Sequence, residues 1–191
     1  MKAYRSLPNG YSEVLQVNMQ KDKKTALKIN IGGVIVGVLL FIPGNLFVPI
    51  LEVFHETGIK DYLLRVAVMM LAYLAYIVLH ELTHAAVMKA VGGGQVKFGF
   101  TGLYAFAGSE VDYFDKISYR CIALAPLLVW GVIFIVLQLL VPRSWFWVIW
   151  FLQIGNVAGA AGDVYITAKL WKMPASILVR DTGVDMTVFD K

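Results

Sequence analysis

The sequence predicts an all-α polytopic membrane protein of about four transmembrane helices, with a small membrane-surface β-hairpin and short cytoplasmic terminal strands. Of its 191 residues, 59% are hydrophobic and only 16% charged, against about half and about a quarter in soluble domains. The apolar residues also gather into runs long enough for the helix of about 20 residues that crosses the hydrocarbon layer. Lys and Arg mark the ends of these runs unevenly. Six precede the first run, four (Lys89, Lys97, Lys116 and Arg120) separate the second from the third, and four (Lys169, Lys172, Arg180 and Lys191) follow the fourth. The other side receives only Lys60, Arg65 and Arg143. Positive residues accumulate on the inner side, so both termini are expected in the cytoplasm, with the cell membrane as the site of insertion.

Three regions follow: a cytoplasmic segment 1–28, a transmembrane core 29–172 and a cytoplasmic tail 173–191. The first segment opens with a Pro8-Asn9-Gly10 turn signal. Leu15, Val17 and Met19 then alternate with Gln16 and Asn18 as in a strand. This segment lacks the apolar core of a cleavable leader. The first span runs from Ile29 to Leu51, with Gly32, Gly33 and Gly37 for close helix contact and Pro43-Gly44 as an expected kink or interruption. A loop with His55, Glu56, Lys60 and Asp61 leads to a second span, Tyr62 to about Val91, which Gly92-Gly93-Gly94 ends. Gln95 to Gly108 reads as the hairpin, because Val96, Phe98 and Phe100 alternate with Lys97 and Gly99 and Leu103 to Phe106 follow Gly102. Its free edge could take up an extended polypeptide, or it could be an ordinary interfacial hairpin. Glu110, Asp112 and Asp115 are expected in a solvated loop. The third span covers Ile117 to Val141 and contains Pro126. The fourth opens with Trp145, Trp147 and Trp150, aromatics suited to the bilayer interface, and exits at Lys169, Lys172 and Pro174. The tail reads as two short strands about Asp181-Thr182-Gly183, able to pair with the N-terminal strand.

The net charge of +4 does not indicate nucleic acid, because the basic residues form no patch interleaved with aromatics. Cys121 is the only cysteine and lies in an apolar run, which makes it a packing residue. Chemistry concentrates instead in His80-Glu81-Leu82-Thr83-His84. On a helix, positions four apart share a face, so His80 and His84 can offer two imidazoles to one metal ion. Glu81 is placed to act as the base toward a metal-bound water. Such a pattern can be a solvated polar face, but here apolar residues flank it on both sides. An ionisable group amid a span costs roughly 2.5 to 3.5 kcal/mol at mid-bilayer and usually carries function. His55, by contrast, falls on the opposite side of the membrane and reads as a surface histidine.

In the four-span topology, spans two and four both run from outside to inside. His80 is 18 positions after Tyr62 and Asp163 is 18 after Trp145, which puts both about 27 Å along their helices. Asp163 is thereby the expected third metal ligand, completing two imidazoles and a carboxylate with water in the fourth place, a donor set suited to Zn2+. It could otherwise face a water-filled crevice or pair with Lys169 or Lys172. Asn156 lies two turns earlier on the same face. It is a candidate for substrate binding or oxyanion stabilisation, or for a hydrogen bond between helices.

These residues resemble the site-2 protease group of intramembrane metalloproteases: His80-Glu81-x-x-His84 in a span, a following glycine-rich hairpin, Ala125-Pro126 in the next span, and an Asn-bearing helix ending in an acid. Leu7-Pro8-Asn9-Gly10-Tyr11, Gly162-Asp163 and Val179-Arg180-Asp181-Thr182 add a resemblance to the putative zincin peptidase family over nearly the whole chain. That likeness implies a zinc peptidase with His80, His84 and Asp163 as ligands and Glu81 as base. Its substrates would be membrane or membrane-proximal proteins. The sequence leaves two other classes open: an ion or proton-coupled transporter using the same polar groups, and a non-catalytic membrane interaction protein. Oligomeric state is not legible in it.

Overall fold

A computed structural model describes residues 1–102 and 104–191, with side chains outside 52–57. The reading of His55 as a surface histidine and the placement of Leu103 in the hairpin therefore lie outside the described residues. Helix α1 (Lys23–Phe47) begins where Asp22 accepts a hydrogen bond from the Thr25 amide at 3.0 Å. Of the kink or interruption expected at Pro43, no interruption occurs: the helix continues to Phe47, and its Leu40 carbonyl accepts the Trp150 indole N–H at 3.1 Å. Helix α2 (Ile50–Ala90) starts earlier than expected and changes direction at Gly58, whose φ of 69° and ψ of 162° are open only to glycine. Its end is as predicted: Gly92 adopts φ 95° and the Gly93 amide returns to the Met88 carbonyl at 2.8 Å. Helix α3 (Lys116–Leu140) is capped by Asp115, which accepts from the Ser118 amide at 2.8 Å.

Where a fourth continuous helix was expected, the chain forms α4 (Phe146–Gly159) and α5 (Ala161–Trp171), separated at Ala160. Among the described residues, three helices are long and apolar enough to cross a membrane: α1, α2 from Gly58, and α3. Their outward faces carry exposed Leu39, Leu74 and Leu139, which is stable where lipid rather than water covers them. This is a helical membrane protein.

The fold is not strictly all-α. Strands β1 (Ala3–Tyr4), β2 (Ser12–Asn18), β5 (Tyr113–Asp115), β6 (Leu178–Asp181) and β7 (Asp185–Asp190) form one antiparallel sheet in the order β1-β5-β6-β7-β2. The alternation at Leu15 to Met19 pairs the N-terminal strand with the tail, Val17 opposite Met186. Strands β3 (Lys97–Phe100) and β4 (Ala105–Gly108) make the separate hairpin. The sheet and the ends of α2, α3 and α5 share one core of Met88, Phe114, Ile122, Leu170, Val179 and Val188, each at most 1% exposed. Full burial of each such side chain is worth about 1.5 to 3 kcal/mol, enough in sum to fix the sheet against the helix ends.

Asp112 corrects the expectation of a solvated acidic loop. It is fully buried, and accepts from Arg5 Nη1 at 3.0 Å, the Gly94 amide at 2.8 Å and Ser109 Oγ at 2.7 Å. Buried carboxylates persist where donors surround them in this way.

Candidate metal centre

Helical spacing brings His80 and His84 to one face of α2, their ring centroids 4.9 Å apart. Donor atoms of His80, Glu81 and His84 lie within 4.8 Å of one another. Asp163, in the first turn of α5, meets both imidazoles: its Oδ2 is 3.6 Å from His80 Nε2 and 3.8 Å from His84 Nε2. Around a tetrahedral zinc with bonds of about 2.0 to 2.1 Å, ligand atoms stand about 3.3 Å apart, so small movements would seat the ion. The donor set and its geometry fit the metal.

The rear nitrogens of both rings are engaged. His84 Nδ1 stands 2.9 Å from the Ile122 carbonyl of α3, and His80 Nδ1 stands 2.9 Å from the Tyr76 hydroxyl. Tyr76 in turn donates to Asn156 Oδ1 at 2.9 Å, while Asn156 Nδ2 donates to the Leu127 carbonyl at 3.1 Å. Asn156 is wholly buried and linked to neighbouring helices, with its amide behind the imidazole-bearing face rather than among the residues described as lining the cavity. Its side chain thus bridges α2 and α3 through hydrogen bonds to Tyr76 and to the Leu127 carbonyl.

The face that carries the two imidazoles opens into a cavity of about 1160 Å³. His80, Glu81, His84 and Asp163 line it, as do Asn30 and Gly33 of α1, Tyr104 to Ala107 of the hairpin, and Asp181 and Gly183 to Met186 of the sheet and its turn. The carboxylate of Glu81 interacts with the Ala107 main chain. Gly33 fixes the depth of α1, since a Cβ there would stand 2.8 Å from the Ala158 carbonyl beside the α4–α5 break. Asp181, which the sequence offered only as part of a turn and of the family resemblance, lines the cavity. Burial pushes its carboxyl above the ordinary value, against the donors Tyr119 Oη at 2.6 Å and the Gly183 amide at 2.7 Å. Tyr76 was missed, although it lies four residues before His80 and so shares its helical face.

Taken together, helices crossing a membrane and a cluster of two histidines and two acids at the head of a cavity define a membrane protein with a candidate metal centre. The chain belongs to the putative zincin peptidase family, whose model matches residues 73–178, more than half of the sequence. No curated protein and no solved structure matches it.

Proposed function

We propose that the protein is a membrane-embedded zinc metalloprotease of the site-2 type, cleaving membrane or membrane-proximal proteins near the cytoplasmic leaflet. The observation that carries this reading is the approach of His80 Nε2, His84 Nε2 and Asp163 Oδ2 to one point in an open cavity, with Glu81 beside them. His80, His84 and Asp163 would hold the ion. A zinc ion bound there supplies Lewis acidity to a water molecule and to the scissile carbonyl. Glu81 takes the proton from that water as it attacks, and passes it to the nitrogen of the departing amine. Among the described residues β4 pairs with no strand but β3 and lines the cavity, where an extended substrate could add along its other side.

Sheet pairing supports four crossings with both termini on one side of the membrane, and the Lys and Arg distribution favours the cytoplasm as that side. Residues before α1, between α2 and α3, and after α5 belong to one sheet, so all three lie on one side of the membrane. In this reading the chain leaves that side through α3 and returns through α4 and α5 as a broken fourth crossing. The break puts Asp163 at the start of a helix whose first turn faces the histidines.

Stoichiometric metal analysis of purified protein tests the centre. Wild type should carry one zinc, His84→Ala and Asp163→Ala should lose it, and Glu81→Gln should keep it. Cleavage of single-span model peptides in liposomes should fall by about 10² to 10⁴ in Glu81→Gln. Wild type without a bound divalent ion, or full cleavage by Glu81→Gln, would overturn the proposal.

A further inference from the structure

We propose that helix α3 is a template for the tautomers of both histidines, and that Pro126, Asn156 and Tyr76 are positioning residues that transmit it. This rests on the metal-centre reading. A neutral imidazole carries its one hydrogen on either nitrogen, and only a ring with the hydrogen on Nδ1 presents a bare Nε2 to a metal. The surroundings of both rings dictate that form.

At His84 the control is direct. A backbone carbonyl can only accept, so the 2.9 Å contact with the Ile122 oxygen requires a hydrogen on His84 Nδ1. That carbonyl is available for a reason written in the sequence. Within a helix, the Ile122 oxygen would receive the amide of the residue four positions on. Residue 126 is proline, which has no amide hydrogen. Pro126 leaves a buried acceptor without its helical donor, and His84 supplies one; both residues are buried.

At His80 the control passes through two side chains. The Leu127 carbonyl can only accept, so the Asn156 atom 3.1 Å away is its nitrogen, which turns Oδ1 toward Tyr76. The Tyr76 hydroxyl has a single hydrogen and gives it to Asn156 Oδ1 at 2.9 Å. Its oxygen can then only accept from His80, 2.9 Å away, which puts the hydrogen of His80 on Nδ1. Two carbonyls five residues apart on α3 thus leave both Nε2 atoms bare on the side of Asp163.

The chain of donors has a distinctive consequence. In Asn156→Leu, Tyr76 loses its acceptor and its hydroxyl turns to His80 Nδ1, forcing the hydrogen onto Nε2. Adding Tyr76→Phe removes that wrong donor, so the double variant should bind zinc more tightly than Asn156→Leu alone. The test uses metal-free full-length protein in micelles with ¹⁵N-labelled histidine, in which imidazole shifts report the tautomers. The chain has three histidines, and His55→Gln leaves only the pair of interest. Zinc affinity is read separately by competition with a chelator.

Wild type should show both rings protonated at Nδ1. Asn156→Leu should invert His80 alone and weaken zinc about 10- to 100-fold, the double variant should recover part of that loss, and Pro126→Ala should perturb His84 alone. Unchanged His80 shifts in Asn156→Leu, or no recovery on adding Tyr76→Phe, would overturn the template. If Asn156→Leu does not fold, Tyr76→Phe alone decides: unaltered His80 shifts reject the proposal, and a shift confined to His80 supports it. Wild type that shows both rings protonated at Nδ1 and the expected variant shifts but binds no zinc would reject the metalloprotease reading and leave the template standing.

Discussion

At Asp112 a single carboxylate joins three separate parts of the chain: the N-terminal Arg5, the turn after α2 at Gly94, and Ser109 beyond the hairpin. Arg5 is largely exposed and its charge is screened by water, so the ion pair itself contributes little. The buried donors matter more, because removing their acceptor leaves the Gly94 amide and Ser109 hydroxyl unpaired away from water. Asp112→Ala should therefore destabilise the protein by about 2 to 3 kcal/mol, and Arg5→Ala by clearly less. Thermal unfolding in detergent orders the two, and an equal or larger loss in Arg5→Ala would refute the assignment. The same distinction explains which residues the sequence made legible. His80, Glu81 and His84 belong to one local pattern, so helical spacing alone assembles them. Asp163 could be reached only through a topology that set two spans at equal depth. Asp112 could not be reached at all: its spacing with Glu110 and Asp115 resembles a solvated run, and Arg5 is 107 residues away. The spacing of Asn156 fits either a substrate contact or a bond between helices, and does not show that Tyr76 and Leu127 engage its amide.

Among the elements, the helix boundaries followed from caps, while the interruptions followed from packing. Pro43 and Pro126 both lie inside helices without ending them; composition alone made the first look like a break. The actual break falls at Ala160, directly after Gly159, with no proline beside it. The start of α3 provides a test of local control. Burial raises the pKa of Asp115, but hydrogen bonds from Ser118 and Lys2 and the nearby chain terminus outweigh it and hold the carboxyl below its ordinary value. A lowered pKa in the folded state means that the stabilisation is complete above the unfolded value of about 3.9 and fades as pH falls through the folded one. Asp115→Ala should cost about 1 kcal/mol at neutral pH, with the difference from wild type narrowing below about pH 4. Melting curves of both proteins across pH 3 to 7, on the order of the range that spans this carboxyl's titration, provide the check. A constant difference over that range would remove the ionised cap as its cause.

On the scale of the whole molecule, the sheet constrains the path through the bilayer more strongly than charge counting does. Lys and Arg distribution predicts which side each loop occupies, but each loop contributes only a bias. Hydrogen-bonded pairing of β1 with β5, β5 with β6, and β7 with β2 is stricter, because strands on opposite sides of a membrane cannot pair. Three continuous spans alone would leave the tail opposite the N-terminal segment, and in the proposed topology the short helices α4 and α5 jointly restore it. Cys121 allows a direct measurement, since replacing this only cysteine by alanine gives a background in which single new thiols report their side. In intact cells, Ser144→Cys at the turn between α3 and α4 should react with a membrane-impermeant maleimide, whereas Ser6→Cys and Lys191→Cys should react only after the membrane is opened. Labelling of Ser6→Cys and Lys191→Cys from opposite sides would break the sheet-based topology. Labelling of both from outside, with Ser144→Cys protected, would preserve the sheet and invert the protein, moving the proposed cleavage site to the outer leaflet.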